Sequence, residues 1–132
     1  MSDCVFCDIV AGTEPATVVA TRPLTLTIVP LHPVNPGHLV VLPKRHVESA
    51  AGHPLTLGYT MQEAVHLAKA LEIDEFNLIT SAGANATQTV PHLHVHLIPR
   101  WEDDGMTLPW GKIAKDHRPK PRYGVVPMIE GV

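Results

Sequence analysis

Three histidines alternate with apolar residues in the segment TVPHLHVHLIPR, residues 89–100. A period of two is typical of a β-strand, because successive side chains of a strand point to opposite faces of the sheet. The pattern therefore predicts a strand over residues 89–98 with His92, His94 and His96 on one face. The residues between them are apolar and would face the core. A strand of this kind must separate a hydrophobic core from a surface lined with imidazole.

The imidazole-rich face indicates metal binding, proton transfer or nucleophilic chemistry, since histidine serves in all three near neutral pH. One ion cannot hold all three side chains. Same-face neighbours on a strand lie about 6.6 Å apart and the outer pair about 13 Å, whereas a zinc–nitrogen bond is about 2.1 Å long. Two adjacent histidines can share an ion, so we expect the three histidines to be divided between different tasks.

Further strands are indicated by short runs of β-branched and apolar residues between turn signals. The dipeptide RP separates two such runs that would form a hairpin, and Pro43 ends the buried run HLVVLP. Besides the histidine strand, the predicted strands cover residues 17–21, 24–29, 38–43 and 75–80. Most connections are too short for parallel crossovers, which indicates an antiparallel sheet.

Two helices are predicted, a short one over residues 4–10 and a main one that ends near Leu71. In the main helix, apolar residues recur every three or four positions from Leu57 onward. Thr60 and Glu63 have the spacing of a capping box, which places the helix start near Thr60. We expect both helices on one face of a single antiparallel sheet, an α+β fold.

Size, charge and cysteine content narrow the class of protein. With 132 residues, of which 45% are hydrophobic, the chain is expected to form one globular domain. Its formal net charge of −3 argues against a nucleic-acid-binding surface. The sequence has only two cysteines, and we see neither a secretory signal nor an apolar run of membrane-spanning length. We therefore expect a cytoplasmic protein with reduced thiols that binds neither nucleic acids nor membranes.

The two cysteines form a C-x-x-C pair, Cys4 and Cys7, which has three interpretations. A redox pair normally opens a helix that follows a strand, and no strand is predicted before this one. Two unlinked structural cysteines are a second interpretation. A zinc site is the third, and it requires two further ligands from elsewhere in the chain.

Three blocks of the sequence resemble the histidine-triad (HIT) family of nucleotide-binding proteins and hydrolases. The blocks are CVFCDIVAG, PVNPGHLVVLPKRHV and GANATQTVPHLHVHLIPRW, and their order and spacing resemble the bacterial, zinc-containing branch. The resemblance implies a HIT-like α+β domain over residues 1–101 that forms a two-fold homodimer. Residues 102–132 would be a C-terminal extension with one turn around LPWGK, packed on the domain or on the dimer partner.

The resemblance also implies a reaction. His94 matches the family's nucleophile, which attacks the α-phosphorus of a small nucleotide and forms a nucleotidyl-histidine intermediate that water releases. Neutral imidazole suits this role, because it is nucleophilic near pH 7 and leaves again readily. The expected function is a nucleotide hydrolase acting on a nucleoside phosphoramidate or a dinucleoside polyphosphate. A nucleotidyltransferase and a nucleotide-binding module with little turnover are the alternatives.

Further site residues are implied by the same resemblance. His96, Gln88 and Thr89 match catalytic positions that contact the phosphate and the leaving group. The positions that match the family's nucleotide-binding residues are Phe6, Ile9, His38, Gln88, Thr89 and His96. Of these, Phe6 and Ile9 would line the base pocket, although such residues are equally suited to a core.

A structural zinc ion is implied as well. His46 and His92 match metal ligands of zinc-containing members, so the expected ligands are Cys4, Cys7, His46 and His92. A set of two cysteines and two histidines is closed, which is typical of a structural Zn²⁺ site. This assignment gives His92 to the metal and leaves His94 for phosphorus.

Three positions depart from the family pattern. Many members carry an acidic residue that binds the ribose hydroxyls where this chain has Pro30, whose side chain offers no acceptor. Ser81 stands where an asparagine precedes the glycine of the phosphate turn, and Thr87 stands where glycine is common. Recognition of the ribose is therefore less firmly predicted than recognition of the phosphate.

Overall fold

The structure, a computed structural model, describes residues 2–110. These residues form a five-stranded antiparallel sheet, two α-helices and a 3₁₀ helix over Ala84–Ala86. The strands are β1 (Val18–Thr21), β2 (Thr25–Ile28), β3 (Leu39–Pro43), β4 (Phe76–Ile79) and β5 (Val95–Pro99), in the spatial order β1-β2-β3-β5-β4. The helices are α1 (Val5–Ala11) and α2 (Pro54–Ala70). The predicted α+β fold with an antiparallel sheet, a short N-terminal helix and one main helix is confirmed.

The two helices pack on opposite faces of the sheet, so the prediction of a single helical face was wrong. α2 packs on a buried cluster that consists of Leu39, Val41, Ala64, Leu67, Ala68, Val95 and Leu97. α1 packs with Phe6, Ile9 and Val10 against Leu26, Ile28, Val40 and Leu42. Alternation along β3 explains the division, because odd-numbered residues of that strand face α2 and even-numbered residues face α1. His96 is paired with Val40 and therefore lies on the α1 face.

The histidine strand is shorter than predicted, because β5 begins at Val95 and not near residue 89. Pairing with β3 stops at Val95 and Val41, two residues before Pro43, which has no N–H to donate to a ladder. The Pro43 carbonyl lies 2.8 Å from Nε2 of the His92 ring instead. His92 and His94 therefore lie in an extended segment just before the strand, and both remain buried.

α2 begins at Pro54, six residues before the predicted start at Thr60. His53 is the N-cap, and its Nδ1 accepts from the backbone N–H of Thr56 at 3.2 Å. Pro54 then occupies the first turn, where its missing N–H costs nothing. The hydroxyl of Thr60 is buried and donates to the Thr56 carbonyl at 2.7 Å, so Thr60 is an interior residue and not a cap.

The chain beyond β5 turns back toward Arg100, whose guanidinium donates to the Asp104 carboxylate at 2.6 Å and to the Met106 carbonyl at 3.1 Å. The predicted turn around LPWGK falls partly outside the described residues, and so does the rest of the extension from residue 111. Within residues 2–110, no helix is long and apolar enough to cross a membrane.

Candidate active site and metal centre

The ring of His94 has one nitrogen hydrogen-bonded, and the other has no partner within the described part of the chain. Its Nδ1 lies 2.7 Å from the His92 carbonyl. A carbonyl only accepts, so Nδ1 carries the proton and the lone pair is on Nε2. Burial lowers the pKa of His94, and the ring is 8% exposed with the edge of Phe6 at a centroid distance of 5.1 Å. His94 is therefore a neutral imidazole at pH 7 whose free nitrogen can attack an electrophile.

His96 is bonded in the opposite sense, through His38. The backbone N–H of Val34 donates to Nδ1 of His38 at 3.1 Å, which places the His38 proton on Nε2. That Nε2–H faces Nδ1 of His96 at 2.9 Å, so the His96 proton is on its Nε2. Burial, with smaller contributions from His94 and His38, lowers the pKa of His96 to about 4. His96 is thus a neutral hydrogen-bond donor, and its ring centroid is 5.1 Å from that of the His94 ring.

These two rings form one reactive unit. His94, just before β5, presents a lone pair, and His96, the second residue of β5, presents an N–H beside it. Such a pair can attack a phosphorus atom and at the same time donate a hydrogen bond to an oxygen of the same group. Tetrahedral phosphate esters and amides are electrophiles of the required kind.

The buried imidazoles make the fold sensitive to acid, which gives a first testable prediction. The unfolded chain protonates His96 near its ordinary pKa of about 6.5, and the folded chain only near 4. Between these two pH values the unfolded state binds more protons, so the free energy of unfolding falls as the pH falls. For each such group the fall is at most about 1.4 kcal/mol per pH unit. Partial exposure of His96 reduces that limit. Burial lowers the pKa of His38 as well, so His38 adds to the same loss of stability at low pH.

Urea unfolding measured between pH 7.5 and 4.5 tests this prediction. The slope of stability against pH should be smaller in His96→Gln than in the unmodified chain, because the substitution removes one of the titrating groups. His32→Gln is the matched control, since His32 is exposed in the 30–37 loop. Equal slopes in all three proteins would contradict the argument.

Four side-chain atoms that could bind a metal ion converge where the start of α1 meets the segments after β3 and before β5. The Sγ atoms of Cys4 and Cys7 and the Nδ1 atoms of His46 and His92 all lie within 4.8 Å of one another. Cys4 Sγ is 3.3 Å from His92 Nδ1, and Cys7 Sγ is 3.5 Å from the same atom. His46 Nδ1 is 3.3 Å from Cys7 Sγ and 3.2 Å from His92 Nδ1.

These separations fit one tetrahedral zinc ion. Bonds of about 2.3 Å to sulfur and about 2.1 Å to nitrogen give tetrahedral edges of roughly 3.6 Å between sulfur and nitrogen and roughly 3.4 Å between two nitrogens. The observed edges agree within a few tenths of an ångström. Burial, reinforced by Cys4, raises the pKa of the Cys7 thiol to about 11, and a coordinated cation is what makes loss of such a proton favourable. The chemistry and the placement of the four residues therefore suit Zn²⁺.

His92 belongs to the metal cluster and to the reactive unit at once. Its ring Nε2 donates to the Pro43 carbonyl at 2.8 Å, which leaves Nδ1 as the ligand atom. Its backbone carbonyl is the acceptor that orients His94. The backbone around it is held as well, because Leu93 N–H donates to the Val47 carbonyl at 2.6 Å.

Gln88 and Thr89, the remaining catalytic residues implied by the resemblance, lie in the segment before His92 and differ in their contacts. The Gln88 side chain bridges two segments, because its Oε1 accepts from Gly83 N–H at 2.8 Å and its Nε2 donates to the Glu48 carbonyl at 2.7 Å. Thr89 is exposed. Thr87, where the family often has glycine, has a φ of 67°, a conformation that costs a β-branched residue roughly 1–2 kcal/mol.

The residues that the resemblance assigns to the base pocket and to ribose recognition lie in different parts of the fold. Phe6 and Ile9 are half-buried and pack on the α1 face of the sheet. Pro30 follows β2 and Ser81 follows β4, and both are half-buried. Pro30 has no polar side-chain atom, and the Ser81 side chain makes no hydrogen bond within the part of the chain that the structure describes. Neither residue supplies the carboxylate that many family members use for the ribose.

The sequence model of the HIT domain matches residues 11–103 of this chain. The chain belongs to the HIT family. Two curated relatives of this HIT protein have named activities. An adenylylsulfatase of Arabidopsis thaliana is 35% identical over 108 residues, which cover 78% of this chain and 55% of that protein. An adenosine 5′-monophosphoramidase of Saccharomyces cerevisiae is 32% identical over 111 residues, which cover 81% of this chain and 69% of that protein.

The fold of this HIT protein is also found among solved structures. A Zn-bound histidine triad family protein from Mycobacterium smegmatis superposes with a TM-score of 0.74 at 32% identity, and the match covers 80% of each chain. The two cysteines and two histidines that converge in this chain are a set that could hold such an ion.

Several residues that shape the site of this HIT protein escaped the sequence analysis. Thr80 donates its hydroxyl to the His94 carbonyl at 2.7 Å. Val34 and Pro43 act through backbone groups, which every residue has, so no side-chain pattern identifies them. Asn35 is 3% exposed. Its signal in the sequence is an amide three residues before His38 in the proline-rich block PVNPGH.

Proposed function

We propose that this HIT protein is a nucleotide hydrolase that acts at the α-phosphate of a small nucleotide through a covalent nucleotidyl-His94 intermediate. The observation that carries the proposal is the bonding of His94: its Nδ1–H is donated to the His92 carbonyl, and its Nε2 lone pair has no partner among residues 2–110. Family membership and relatives named adenylylsulfatase and adenosine 5′-monophosphoramidase support nucleotide hydrolysis in general.

In the first step the lone pair of His94 Nε2 forms a bond to the α-phosphorus, and the bond from phosphorus to the leaving atom breaks. The electron pair of the broken bond goes to the leaving group. The ring becomes a cation, and the His92 carbonyl stabilises it by accepting Nδ1–H. His96 donates Nε2–H to a phosphoryl oxygen as negative charge shifts onto it.

In the second step water attacks the phosphorus and the bond to Nε2 breaks. Its electron pair returns to the ring, which becomes neutral His94 again, while one proton of the water goes to solvent and the nucleoside monophosphate is released. A cationic imidazole is a good leaving group, so the same ring serves both steps.

Leaving groups that depart without receiving a proton from the enzyme suit the bonding of His96. Because His96 is neutral and keeps its single proton, it stabilises charge but is a poor acid at neutral pH. A sulfate leaves without a proton, and an amine can leave from a nitrogen that is already protonated. A polyphosphate also leaves unprotonated, so the bonding of His96 does not rank it. The names of the two relatives are the ground on which we place phosphoramidates and phosphosulfates before dinucleoside polyphosphates.

We also propose a structural Zn²⁺ on Cys4, Cys7, His46 and His92, as in the zinc-containing bacterial branch. The fit of the four ligand atoms supports it, and so does the Zn-bound relative in M. smegmatis. When bound, zinc would tie α1 to the segments that precede β5 and follow β3. No catalytic step requires it.

The other predictions made from the sequence remain proposals. These are the homodimer, the cytoplasmic location, the boundary between a domain of residues 1–101 and an extension of residues 102–132, and the nucleotide-binding roles of Phe6, Ile9, His38, Gln88, Thr89 and His96. For Gln88 to bond a phosphate, its side chain must exchange at least one of its present partners, Gly83, Glu48 and Val90. For the dimer, β4 offers an edge strand whose outer backbone groups can pair with a second copy.

The test of the proposed function is release of nucleoside monophosphate from adenosine 5′-phosphoramidate, adenosine 5′-phosphosulfate and diadenosine tetraphosphate by the full chain. We expect release from at least the first two, with the monophosphate as the common product. Release only when an acceptor alcohol or phosphate is added would identify a nucleotidyltransferase. Binding of adenosine monophosphate without turnover of any substrate would overturn the hydrolase proposal in favour of a binding module.

A further inference from the structure

The first turn after β5 is organised around the carboxylate of Asp104. Its side chain is 3% exposed and forms an ion pair with Arg100 at 2.6 Å from Oδ2 to Nε. The backbone N–H groups of Trp101 and Met106 donate to it at 3.2 and 3.0 Å. Hydrogen bonds from Arg100, followed by those from the backbone and from Asn35, hold the pKa of Asp104 well below its ordinary value. The group is a permanent anion at the end of the sheet.

Asp104 also reaches a loop that is distant in sequence. The Nδ2 of Asn35 donates to Asp104 Oδ2 at 3.1 Å and to the Pro99 carbonyl at 2.9 Å. Both partners only accept, so the orientation of the Asn35 amide is unambiguous. Gly37 brings the same loop close to the strand, since a Cβ there would lie 3.1 Å from Pro99 Cγ. The loop of residues 33–38 is therefore fixed on the end of β5.

The loop in turn fixes His38. The Asn35 carbonyl accepts from His38 N–H at 3.1 Å, and Val34 N–H donates to His38 Nδ1 at 3.1 Å. This second bond decides which nitrogen of His38 carries its proton. The His38 tautomer in turn sets that of His96, because His38 Nε2–H donates to His96 Nδ1 at 2.9 Å. Asp104 is thus connected to His96 through this loop: its carboxylate holds the Asn35 side chain, and the N–H of the adjacent Val34 bonds the His38 ring that contacts His96.

We propose that Asp104 and Asn35 are positioning residues for the His38–His96 pair, and that they keep His96 as a neutral donor with its proton on Nε2. Neither residue touches the reacting atoms. The catalytic consequence rests on the proposed function, whereas the proton positions of the rings do not. If it is correct, the first turn of the segment after residue 101 is part of the active-site scaffold.

The proton positions can be measured directly on the full-length protein. Two-bond ¹H–¹⁵N spectra of the histidine rings distinguish Nδ1–H from Nε2–H, with assignments from His38→Gln and His96→Gln. In the unmodified protein we expect Nε2–H on both His38 and His96. A His96 proton on Nδ1 would overturn the proposal before any variant of Asp104 is made.

The variants are Asp104→Ala and Asn35→Ala, with Asp103→Asn as matched control. Asp103 is the exposed neighbour of Asp104 and has a φ of 58°, which asparagine tolerates. We expect mixed tautomers of His38 and His96 in both alanine variants and unchanged spectra in the control. Asp104→Asn, which keeps the size of the side chain, serves if Asp104→Ala does not fold. Folded variants with unchanged His38 and His96 tautomers would overturn the proposal.

Kinetics add a second readout. With whichever substrate the unmodified protein hydrolyses, kcat should fall about tenfold in either alanine variant with a smaller change in KM, the usual size for a supporting residue. Because both residues act through the same loop, the fall in kcat of the double variant should be no larger than that of the less active single variant. If the unmodified protein hydrolyses nothing, the proposed function fails while the ring spectra still decide the positioning role. Multiplied losses with unchanged tautomers would overturn it.

Discussion

Replacing His94 with alanine or asparagine is expected to abolish the release of nucleoside monophosphate, by about 10⁴-fold or more in kcat, the scale seen when a covalent nucleophile is removed. The two substitutions differ in what they leave behind. The Nδ2 of an asparagine lies close to the place of imidazole Nδ1, so it can still donate to the His92 carbonyl, which lies 2.7 Å from the ring nitrogen. Alanine loses this bond and leaves a cavity beside Phe6.

The pair separates chemistry from folding. His94→Asn should unfold at nearly the denaturant concentration of the unmodified chain, and His94→Ala should be less stable, because it leaves the buried carbonyl of His92 without its donor. Both should be equally inactive. His96→Gln is the matched comparison for activity, since its amide can still donate a hydrogen bond, and we expect it to retain measurable turnover.

A direct measurement of the intermediate completes this test. Acid-free quenching during turnover, followed by mass spectrometry of the intact chain, should show one added nucleotidyl group on the unmodified protein and none on His94→Asn. Turnover by His94→Asn at the unmodified rate would exclude a covalent intermediate on His94 and would favour direct attack by water.

The alternation of histidines predicted much of this site and left out the features that give each ring its role. Period two correctly assigned the three histidines to one face and the apolar residues between them to the core, because side-chain direction depends only on the backbone repeat. Distances along a strand indicated only that the three rings serve different tasks. The assignment of His92 to a metal and of His94 to phosphorus came from the resemblance to the HIT family. The tautomers could not be predicted, since they are set by the carbonyls of Pro43 and His92 and the N–H of Val34.

The errors in the fold have similar causes. The strand was predicted to begin near residue 89, but Pro43 on the neighbouring strand ends the ladder, and such a cross-strand effect is not visible in the pattern of one segment. Helix α2 was predicted to begin at Thr60 because Thr60 and Glu63 match a capping box, whereas His53 caps the helix. Histidine is uncommon as an N-cap, so local preference favoured the wrong residue.

Removing a metal ligand is expected to have the largest effect on stability. Structural zinc contributes an apparent binding free energy on the order of 10 kcal/mol in small domains, so Cys4→Ala and His46→Ala should lower both zinc content and melting temperature. Cys4 is buried and also caps α1 by accepting from Cys7 N–H, whereas His46 is exposed. Cys4→Ala should therefore be the more destabilising of the two.

The position of His92 makes this measurement informative about activity as well. Its ring supplies a ligand atom and its carbonyl orients His94, so loss of zinc should loosen the nucleophile without removing it. We expect His46→Ala to lose zinc and to keep reduced turnover, while His94→Asn keeps zinc and has none. His32→Ala, an exposed loop histidine, is the control for a change in histidine content. Metal analysis by inductively coupled plasma mass spectrometry and thermal unfolding, each before and after chelation, are the measurements. A chain that contains no zinc after purification and is neither stabilised by added zinc nor affected by Cys4→Ala would show that the four residues pack without an ion.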